Sequence, residues 1–356
     1  MYQRTTRLIA VVLALCVISS IGCSNKDSKA PGADVNKTVF DSTEKAKPVT
    51  ITDAKHLIFF RPKVGDVFRY RITMSSTATA QTEDHVYGQF PPKEAASSLN
   101  TYFLRLTVKA IKPDSSVEFS FGYDSISMKM DRDTTHILFS TNDPKMKTDQ
   151  RFIAYSNLIG ETFGFTINKY GDIQEIFNTA SLVAKYMKNL PDSANTAANK
   201  DKVKQLLEGN LAQSLERTLV RFPETPLAKD TNMEQTKQIN LPVWQQIMFP
   251  STLHTKTTMD GFEDRGGKVL ASFTTITALS PDKTVQEDPM AKAVLANLHA
   301  NIKENIVVED ATGMLVHRTY NDDRGWEFTL SAKKAADKTF HRTQTSKEMT
   351  TVDLLR

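Results

Sequence analysis

Apolar and polar residues alternate one by one over much of the chain after residue 56. The runs with this two-residue period are residues 68–74, 102–109, 117–124, 126–130, 163–167 and 173–176. Because successive side chains of a strand point to opposite faces, this period predicts antiparallel strands with one buried face and one exposed face. Pro113–Ser116 and Asn168–Gly171 separate neighbouring runs and predict tight turns between paired strands.

The middle of the chain has a helical period instead. Residues 178–222 are rich in Ala, Leu, Lys, Gln and Glu, and their apolar residues recur every three or four positions. This spacing predicts two amphipathic helices, the second of them long. Pro191 lies between the two, and Pro223 and Pro226 predict that the second helix stops before them. A further helix is predicted over residues 289–303.

Strand patterns return after the two helices. The predicted strands are residues 251–259, 268–279, 306–309, 313–320, 326–331 and 338–354. Asp310–Gly313 and Asn321–Gly325 predict the turns that join the three strands between residues 306 and 331. The order strands, helices, strands favours an α+β fold, in which a large curved, half-barrel-like antiparallel sheet has two or three helices packed on one face.

The first residues have the layout of a bacterial lipoprotein signal. Arg4 and Arg7 precede an apolar run from Leu8 to Gly22, and Cys23 follows directly. Cleavage between Gly22 and Cys23 would leave the cysteine as the lipidated first residue of the mature protein. A run of about 15 apolar residues is short for an uncleaved membrane span, which needs about 20. An ordinary signal peptide, cut nearby, is the alternative that would make Cys23 incidental.

The signal implies a division of the chain into three parts. These are a signal peptide over residues 1–22, a lipidated cysteine with a disordered tether over residues 23–55, and a single β-rich domain over residues 56–356 with a helical insertion at about 179–222. The tether has few large apolar residues, so it cannot bury enough surface to offset the entropy of ordering. Cys16 and Cys23 are the two cysteines of the chain, so the mature domain holds no disulfide.

The net charge bears on the class of partner, and the residue after Cys23 bears on the membrane to which the protein is sorted. The formal net charge of +4 includes Arg4 and Arg7 and no acid from the signal, so the mature chain would carry +2. This near-neutral balance, without a basic stripe, argues against a nucleic-acid partner. Ser24 stands where an inner-membrane-retaining Asp would stand, which favours the outer membrane over the inner one. The periplasmic or surface side stays open.

No known catalytic or metal-binding motif occurs in this sequence. G-x-S-x-G, H-E-x-x-H, the P-loop and G-x-G-x-x-G are all missing, and the histidines do not recur at metal-ligand spacing. We therefore predict neither a metal nor a cofactor. An envelope hydrolase with a site outside these motifs is the alternative function. It would need Asp124, Asp131 or Asp133 beside a histidine, whereas carboxylates at strand ends are more simply solvated.

Eight aromatic residues are predicted to face the inside of the sheet. They are Phe68, Tyr70, Phe119, Phe121, Phe163, Phe165, Trp326 and Phe328. A curved sheet lined in this way can enclose a lipid or another hydrophobic ligand, as small barrels do. The competing interpretation, which we favour, is an ordinary core packed against the two helices.

Several segments resemble a family of uncharacterised lipoproteins. They are "VGDVFRYRITM", "YFLRLTVKAIKPDSSVEFSFGYDSISMKM", "LIGETFGFTINKYGDIQEI" and "VVEDATGMLVHRTY". Together with the signal and tether, they are similar to the domain-of-unknown-function family 6263, found largely in Bacteroidota, over most of residues 57–332. Members usually carry a second Gly-Asp-x-Trp-like segment, for which Val243-Trp244 stands here without the Gly-Asp. The resemblance implies a location and a fold class, and it brings no activity and no catalytic residues.

Taken together, these features predict a membrane-anchored lipoprotein of the cell envelope. We expect a non-enzymatic binding or structural module, with a carrier of a lipid or another hydrophobic ligand as one form. A scaffold that docks a protein partner on an exposed patch is a third interpretation, and the sequence does not identify that partner.

The anchor is testable with one substitution. Cys23→Ser removes the only thiol of the mature chain, so we expect it to abolish fatty-acid labelling and to move the protein from the membrane to the soluble fraction. Cys16→Ser, within the signal, serves as the control and should leave both readouts unchanged. A Cys23→Ser protein that still partitions with membranes would contradict the anchoring prediction.

Overall fold

The computed structural model describes most of the predicted domain. The described residues are 38–40, 45–51, 56–188, 191, 193, 195–244, 247–287, 291–333 and 335–355. The predicted signal peptide and the proposed cleavage and lipidation site at Gly22 and Cys23 lie outside them, as does most of the predicted tether. Within the described ranges, no helix is both long and apolar enough to cross a membrane.

The described chain forms one open antiparallel sheet of 14 strands and three helices, which confirms the predicted α+β class. The strands are β1 (Lys47–Val49), β2 (Val67–Asp84), β3 (Glu94–Ile111), β4 (Val117–Arg132), β5 (Thr135–Ser140), β6 (Phe163–Ile167), β7 (Ile173–Phe177), β8 (Asn232–Trp244), β9 (Ile247–Arg265), β10 (Lys268–Pro281), β11 (Val285–Glu287), β12 (Ala291–Glu309), β13 (Leu315–Ala332) and β14 (Ala335–Leu355). The helices are α1 (Ile153–Ser156), α2 (Ala180–Lys188) and α3 (Ala197–Leu215).

The spatial order of the strands brings the two ends of the domain together. It runs β1-β9-β10-β12-β13-β14-β2-β3-β4-β6-β7, with β5 beside β4, β8 beside β9 and β11 beside β12. The last strand, β14, pairs with β2 in unbroken register from Phe340↔Asp84 to Leu355↔Arg69. Strands of this length extend for about 60 Å, at roughly 3.4 Å per residue. One apolar core therefore cannot cover the whole face.

The alternation predicted for the first strands is confirmed. Phe68, Tyr70, Ile72 and Met74 are all buried on one face of β2, and the face follows the same alternation on β3 and β4. Both predicted turns are also present. In the first, between β3 and β4, the Asp114 carboxylate accepts a hydrogen bond from the Ser116 backbone N–H at 3.0 Å. The second joins β6 to β7.

Two predictions from the second half of the chain are wrong. The helix predicted over residues 289–303 is β12 from Ala291 onward, because this segment pairs with β10 on one side and β13 on the other. These pairings outweigh the helix propensity of its Ala, Leu and Lys residues. Asn321–Gly325 is not a turn. These residues lie in the middle of β13 and pair with β12 on one side and with β14 on the other. The turn predicted at Asp310–Gly313 does join two strands.

Two separate apolar clusters lie at opposite ends of the long strands. The first lies under the helices, which contribute Leu182, Val183, Met187, Leu207, Leu211 and Leu215. The second is built from strands alone: Leu241, Val243, Phe249, Leu279, Ala293, Leu295, Trp326 and Phe328. In it the rings of Phe249 on β9 and Phe328 on β13 have centroids 6.5 Å apart, although β10 and β12 lie between these strands. A flat sheet would separate them by about 14 Å, so the sheet curls strongly here.

Two pieces of the segment predicted as a tether lie on the sheet. The backbone N–H of Val39 donates to the carbonyl of Leu354 at 2.8 Å. The Phe40 ring stacks on His317 with a centroid distance of 4.8 Å, and Arg265 lies 4.8 Å from the same ring. Further on, β1 pairs with β9. We call residues 38–40 together with β1 the strap, because these contacts reach from β14 across to β9.

Gly171, in the turn between β6 and β7, tests how tightly this turn packs. Its φ is +98°, and an added Cβ would lie 2.2 Å from the carbonyl oxygen of Val220. Because both the backbone and the neighbour oppose a side chain, we expect Gly171→Ala to lower the free energy of unfolding by about 2–4 kcal/mol in urea denaturation. Gly209→Ala, within α3, is the control. Its added methyl group has no neighbour within 4 Å, so it should raise the free energy of unfolding by up to about 1 kcal/mol. Equal effects of the two substitutions would contradict this packing.

Candidate functional site

The eight aromatic residues predicted to line a pocket form two groups. Phe68, Tyr70, Phe119, Phe121, Phe163 and Phe165 belong to the cluster under the helices, whereas Trp326 and Phe328 belong to the strand-only cluster. Within the first group the rings contact one another: the centroids of Phe119 and Phe165 lie 5.0 Å apart, and those of Phe121 and Phe163 lie 5.2 Å apart. The structure thus brings six of these residues together and holds the other two at the far end.

Between the two clusters, the same face of the sheet changes character. We call its residues there the polar band: Ser76, Ser98, Asn100, Glu304, Tyr320, Asp322, Arg324, Ser346, Glu348 and Thr350. Strand register places them side by side. One row runs Asn100, Met74, Thr350, Tyr320 and Glu304 across five strands, and the next runs Ser98, Ser76, Glu348 and Asp322 across four. The alternation in the sequence could identify the strands but not these two rows, because which residues become neighbours depends on the register between strands.

One buried ion pair of the band connects the sheet to the end of α3. Arg318 forms an ion pair with Glu304, which is 9% exposed. The same guanidinium donates to the carbonyl oxygens of Glu216 at 2.8 Å and Arg217 at 3.0 Å. Carbonyls at a helix C-terminus have no partner within the helix, so Arg318 satisfies them and holds this end of α3 over the band.

A second charged group lies beside it. Asp322 is 5% exposed and accepts hydrogen bonds from Tyr320 Oη at 3.0 Å and from Arg324 Nε at 2.8 Å. Burial, reinforced by the charge of Asp322, raises the pKa of Tyr320 above its usual value. Tyr320 therefore stays protonated and donates a hydrogen bond. The carboxylate of Asp322 accepts its hydrogen bonds from within the protein.

Arg217 and Glu348 are two charged residues near the band that, unlike Arg318 and Asp322, have no direct ion-pair partner among the described residues. The Arg217 guanidinium contacts the Met74 thioether, and no carboxylate of the described chain lies within 4.0 Å of it. Glu348 accepts a hydrogen bond from Thr350 Oγ1 at 3.2 Å. Burial is the main cause that raises the pKa of Glu348, and the positive charge of Arg217 partly opposes this rise. The two opposite charges therefore interact across a gap.

A buried acceptor lies next to this gap. Asn100 is 3% exposed, and its Oδ1 has no hydrogen-bond partner among the residues that the structure describes. Its register partner on β2 is Met74, which Arg217 contacts. A buried carbonyl without a donor costs about 1–3 kcal/mol, so this position has unused capacity to accept a hydrogen bond.

The acidic residues of the alternative hydrolase site lie elsewhere. Asp131 contacts His136 Nδ1 at 2.7 Å, but the histidine side chain is 72% exposed. Asp124 pairs with Arg105 at 3.3 Å, and Asp133 lies 4.0 Å from Arg132. Each of these carboxylates is therefore held by a basic neighbour at the surface. No three His, Cys, Asp or Glu side chains converge as metal ligands in the described ranges.

The fold and the band define a class of protein: an open antiparallel sheet with helices over one end and a polar inner face beyond them. Residues 114–315 match the model of the family of unknown function DUF6263. Because this match spans more than half of the sequence, the chain belongs to that family.

Other comparisons are more distant. The comparison with curated proteins found no match. The solved structure "Lipid-protein interactions in lipovitellin" is similar at 11% identity and a TM-score of 0.38, over 82% of this chain and 25% of that one. This chain therefore spans about a quarter of the length of that protein. An outer membrane channel from Pseudomonas putida F1 is similar at 7% identity and a TM-score of 0.17, over 86% of this chain and 99% of that one.

The raised pKa of Glu348 predicts a pH-dependent stability difference. In the folded state burial disfavours its ionised form, whereas the unfolded chain ionises freely. The wild type therefore loses stability relative to Glu348→Gln as pH rises from below the unfolded pKa through the folded one. We expect equal free energies of unfolding near pH 4 and a more stable Gln variant at neutral pH, measured by urea denaturation.

Asp323→Asn provides the control for this series. Asp323 lies on the exposed face and pairs with Lys347 at 2.7 Å, so its replacement should not stabilise the protein at neutral pH. A Glu348→Gln variant less stable than the wild type at neutral pH would contradict the proposed cost of the buried charge.

Proposed function

We propose that this protein is a membrane-anchored, non-enzymatic binding module of the cell envelope that takes its ligand on the polar band. One observation carries the binding proposal: Arg217, Glu348 and Asn100 lie together on the inner face with bonding capacity that the described chain does not use. The lipoprotein signal layout ending at Cys23 supports the anchoring proposal.

Energetics favour a binding role for the band over a purely structural one. Replacing buried charges by apolar side chains of similar volume is often neutral or stabilising, so a charged inner face does not contribute to folding for its own sake. The two apolar clusters already stabilise both ends of the strands. Buried groups with a shifted pKa, such as Glu348, are concentrated at functional sites, which supports a ligand site here.

A polar ligand on the band fits this geometry better than a lipid among the aromatic residues. The rings of Phe119, Phe121, Phe163 and Phe165 contact one another and are at most 1% exposed. A lipid chain would have to separate these rings before it could enter. The polar band is less completely closed, because Arg324 keeps 32% of its side chain exposed, whereas Asn100 and Thr350 are buried.

The strap adds a limit to how far the proposed anchor can lie from the sheet. Residues 24–37 separate Cys23 from Thr38, which bridges to Leu355. A fully extended segment of this length spans at most about 50 Å, at roughly 3.3–3.6 Å per residue. The proposed anchor would therefore keep the domain near the membrane, with the Leu355 end of β14 as its point of attachment.

Cysteine labelling tests whether the band takes a ligand. Ser346→Cys places a thiol on the band, and Ser75→Cys places one on the opposite face of the neighbouring strand. Both are made in a full-length chain whose own cysteines are replaced, Cys16→Ala and Cys23→Ser, so each thiol is unique. We expect an envelope extract of the native host to slow maleimide labelling of Ser346→Cys and to leave Ser75→Cys unchanged. An extract that protects neither thiol, or both equally, would overturn the proposal.

A further inference from the structure

The end of α3 delivers a cation to the inner face of the sheet. The helix ends at Leu215, and Arg318 holds the carbonyls that follow it, including that of Arg217 itself. The Arg217 side chain then extends over β2 to the Met74 thioether. Its position is thus set from two sides, by the sheet through Arg318 and by the contact with Met74.

An anion and a neutral acceptor lie on the strands next to that cation. Glu348 and Thr350 are both on β14, and Thr350 is the register partner of Met74. Asn100, on β3, is the partner of Met74 on its other side. Arg217 and Asn100 therefore lie beside Met74, Glu348 lies opposite Ser76 in the next row, and neighbouring strands are about 4.8 Å apart. Two strand spacings, about 10 Å, separate β3 from β14, so a small molecule lying over β2 is within reach of side chains from both strands.

The other charges of the neighbourhood cannot complete this arrangement. Asp322 is held by Arg324 and Tyr320, and Glu304 is held by Arg318. Tyr123, whose pKa the positive charge of Arg217 helps to lower against the effect of burial, shares a hydrogen bond with Ser214 Oγ at 2.7 Å. Among the described residues, Arg217 and Glu348 thus interact electrostatically without forming a direct ion pair with each other.

The chemistry of the three groups selects a ligand that carries both charges. A guanidinium binds a carboxylate through two parallel N–H donors. Glu348 accepts from a cationic N–H group, and Asn100 Oδ1 accepts a further N–H from the same nitrogen. We propose that Arg217, Glu348 and Asn100 form a site for a small zwitterion with a carboxylate and a primary ammonium a few bonds apart, as in a free amino acid.

This inference deepens the binding function proposed above and rests on it. It also excludes one related class of ligand. A quaternary ammonium zwitterion such as glycine betaine has the same two charges but no N–H group, so it leaves the Asn100 carbonyl without a donor. Discrimination between a primary and a quaternary ammonium is therefore the signature of this site.

Isothermal titration of the full-length protein with individual free α-amino acids tests the proposal. We expect at least one of them to bind, and its carboxyl-amide derivative and glycine betaine to bind at least about tenfold more weakly. Arg217→Gln and Glu348→Gln should each weaken that binding by about tenfold or more. Arg221→Gln is the matched control, because Arg221 is 61% exposed and pairs with surface carboxylates, and it should bind as the wild type does.

Measuring the stability of the variants distinguishes loss of the binding site from loss of the fold. Glu348→Gln should be at least as stable as the wild type at neutral pH, so weaker binding by this variant reports the site itself. Binding that survives both Arg217→Gln and Glu348→Gln would overturn the inference, and so would equal binding of glycine betaine.

The labelling of Ser346→Cys distinguishes the two proposals. If the envelope extract protects this thiol and no amino acid binds, the binding function stands and the zwitterion is wrong. If neither the extract nor an amino acid has any effect, both proposals are wrong.

Discussion

The pairing of β14 with β2 is the interaction on which the rest of the structure depends. It joins the strands before the helices to those after them, in continuous register from Phe340↔Asp84 to Leu355↔Arg69. The polar band spans this junction, because Thr350 and Glu348 lie on β14 while Asn100 is reached through β2. A shift of one residue in this register would move all of these side chains to the other face.

Strand length creates the second constraint. Even α3, with 19 residues and a length of about 28 Å, covers only about half of a strand of about 60 Å, so the helix-covered cluster ends near Met74. At the far end, no helix of the described chain covers the apolar face, and the sheet curls so that Phe249 and Phe328 contact each other. The stretch between them is left to polar side chains, and Arg318 connects it to the end of α3. The location of the band thus follows from the geometry of the sheet, whereas the ligand is our proposal from the charges of Arg217 and Glu348.

Much of the fold could be predicted from alternation and turn residues. The buried face of β2 and the turn at Pro113–Ser116 needed only local information, since side-chain period and turn chemistry act over a few residues. The segment 291–303 could not be predicted in the same way, because its pairing with β10 and β13 outweighs its helix propensity. For the same reason Asn321–Gly325 looks like a turn and is the middle of a strand.

Sequence alone therefore determined the class of fold, the faces of its first strands and the family resemblance, because these depend on local periodicity and motifs. It also predicted an anchor at Cys23, which lies outside the described residues. Only the tertiary structure decided which polar residues meet. Asn100, Arg217 and Glu348 are far apart in the sequence, and strand register together with the end of α3 brings them next to Met74 and Ser76 of β2. Register between distant strands is a property of the whole sheet, and no local pattern encodes it.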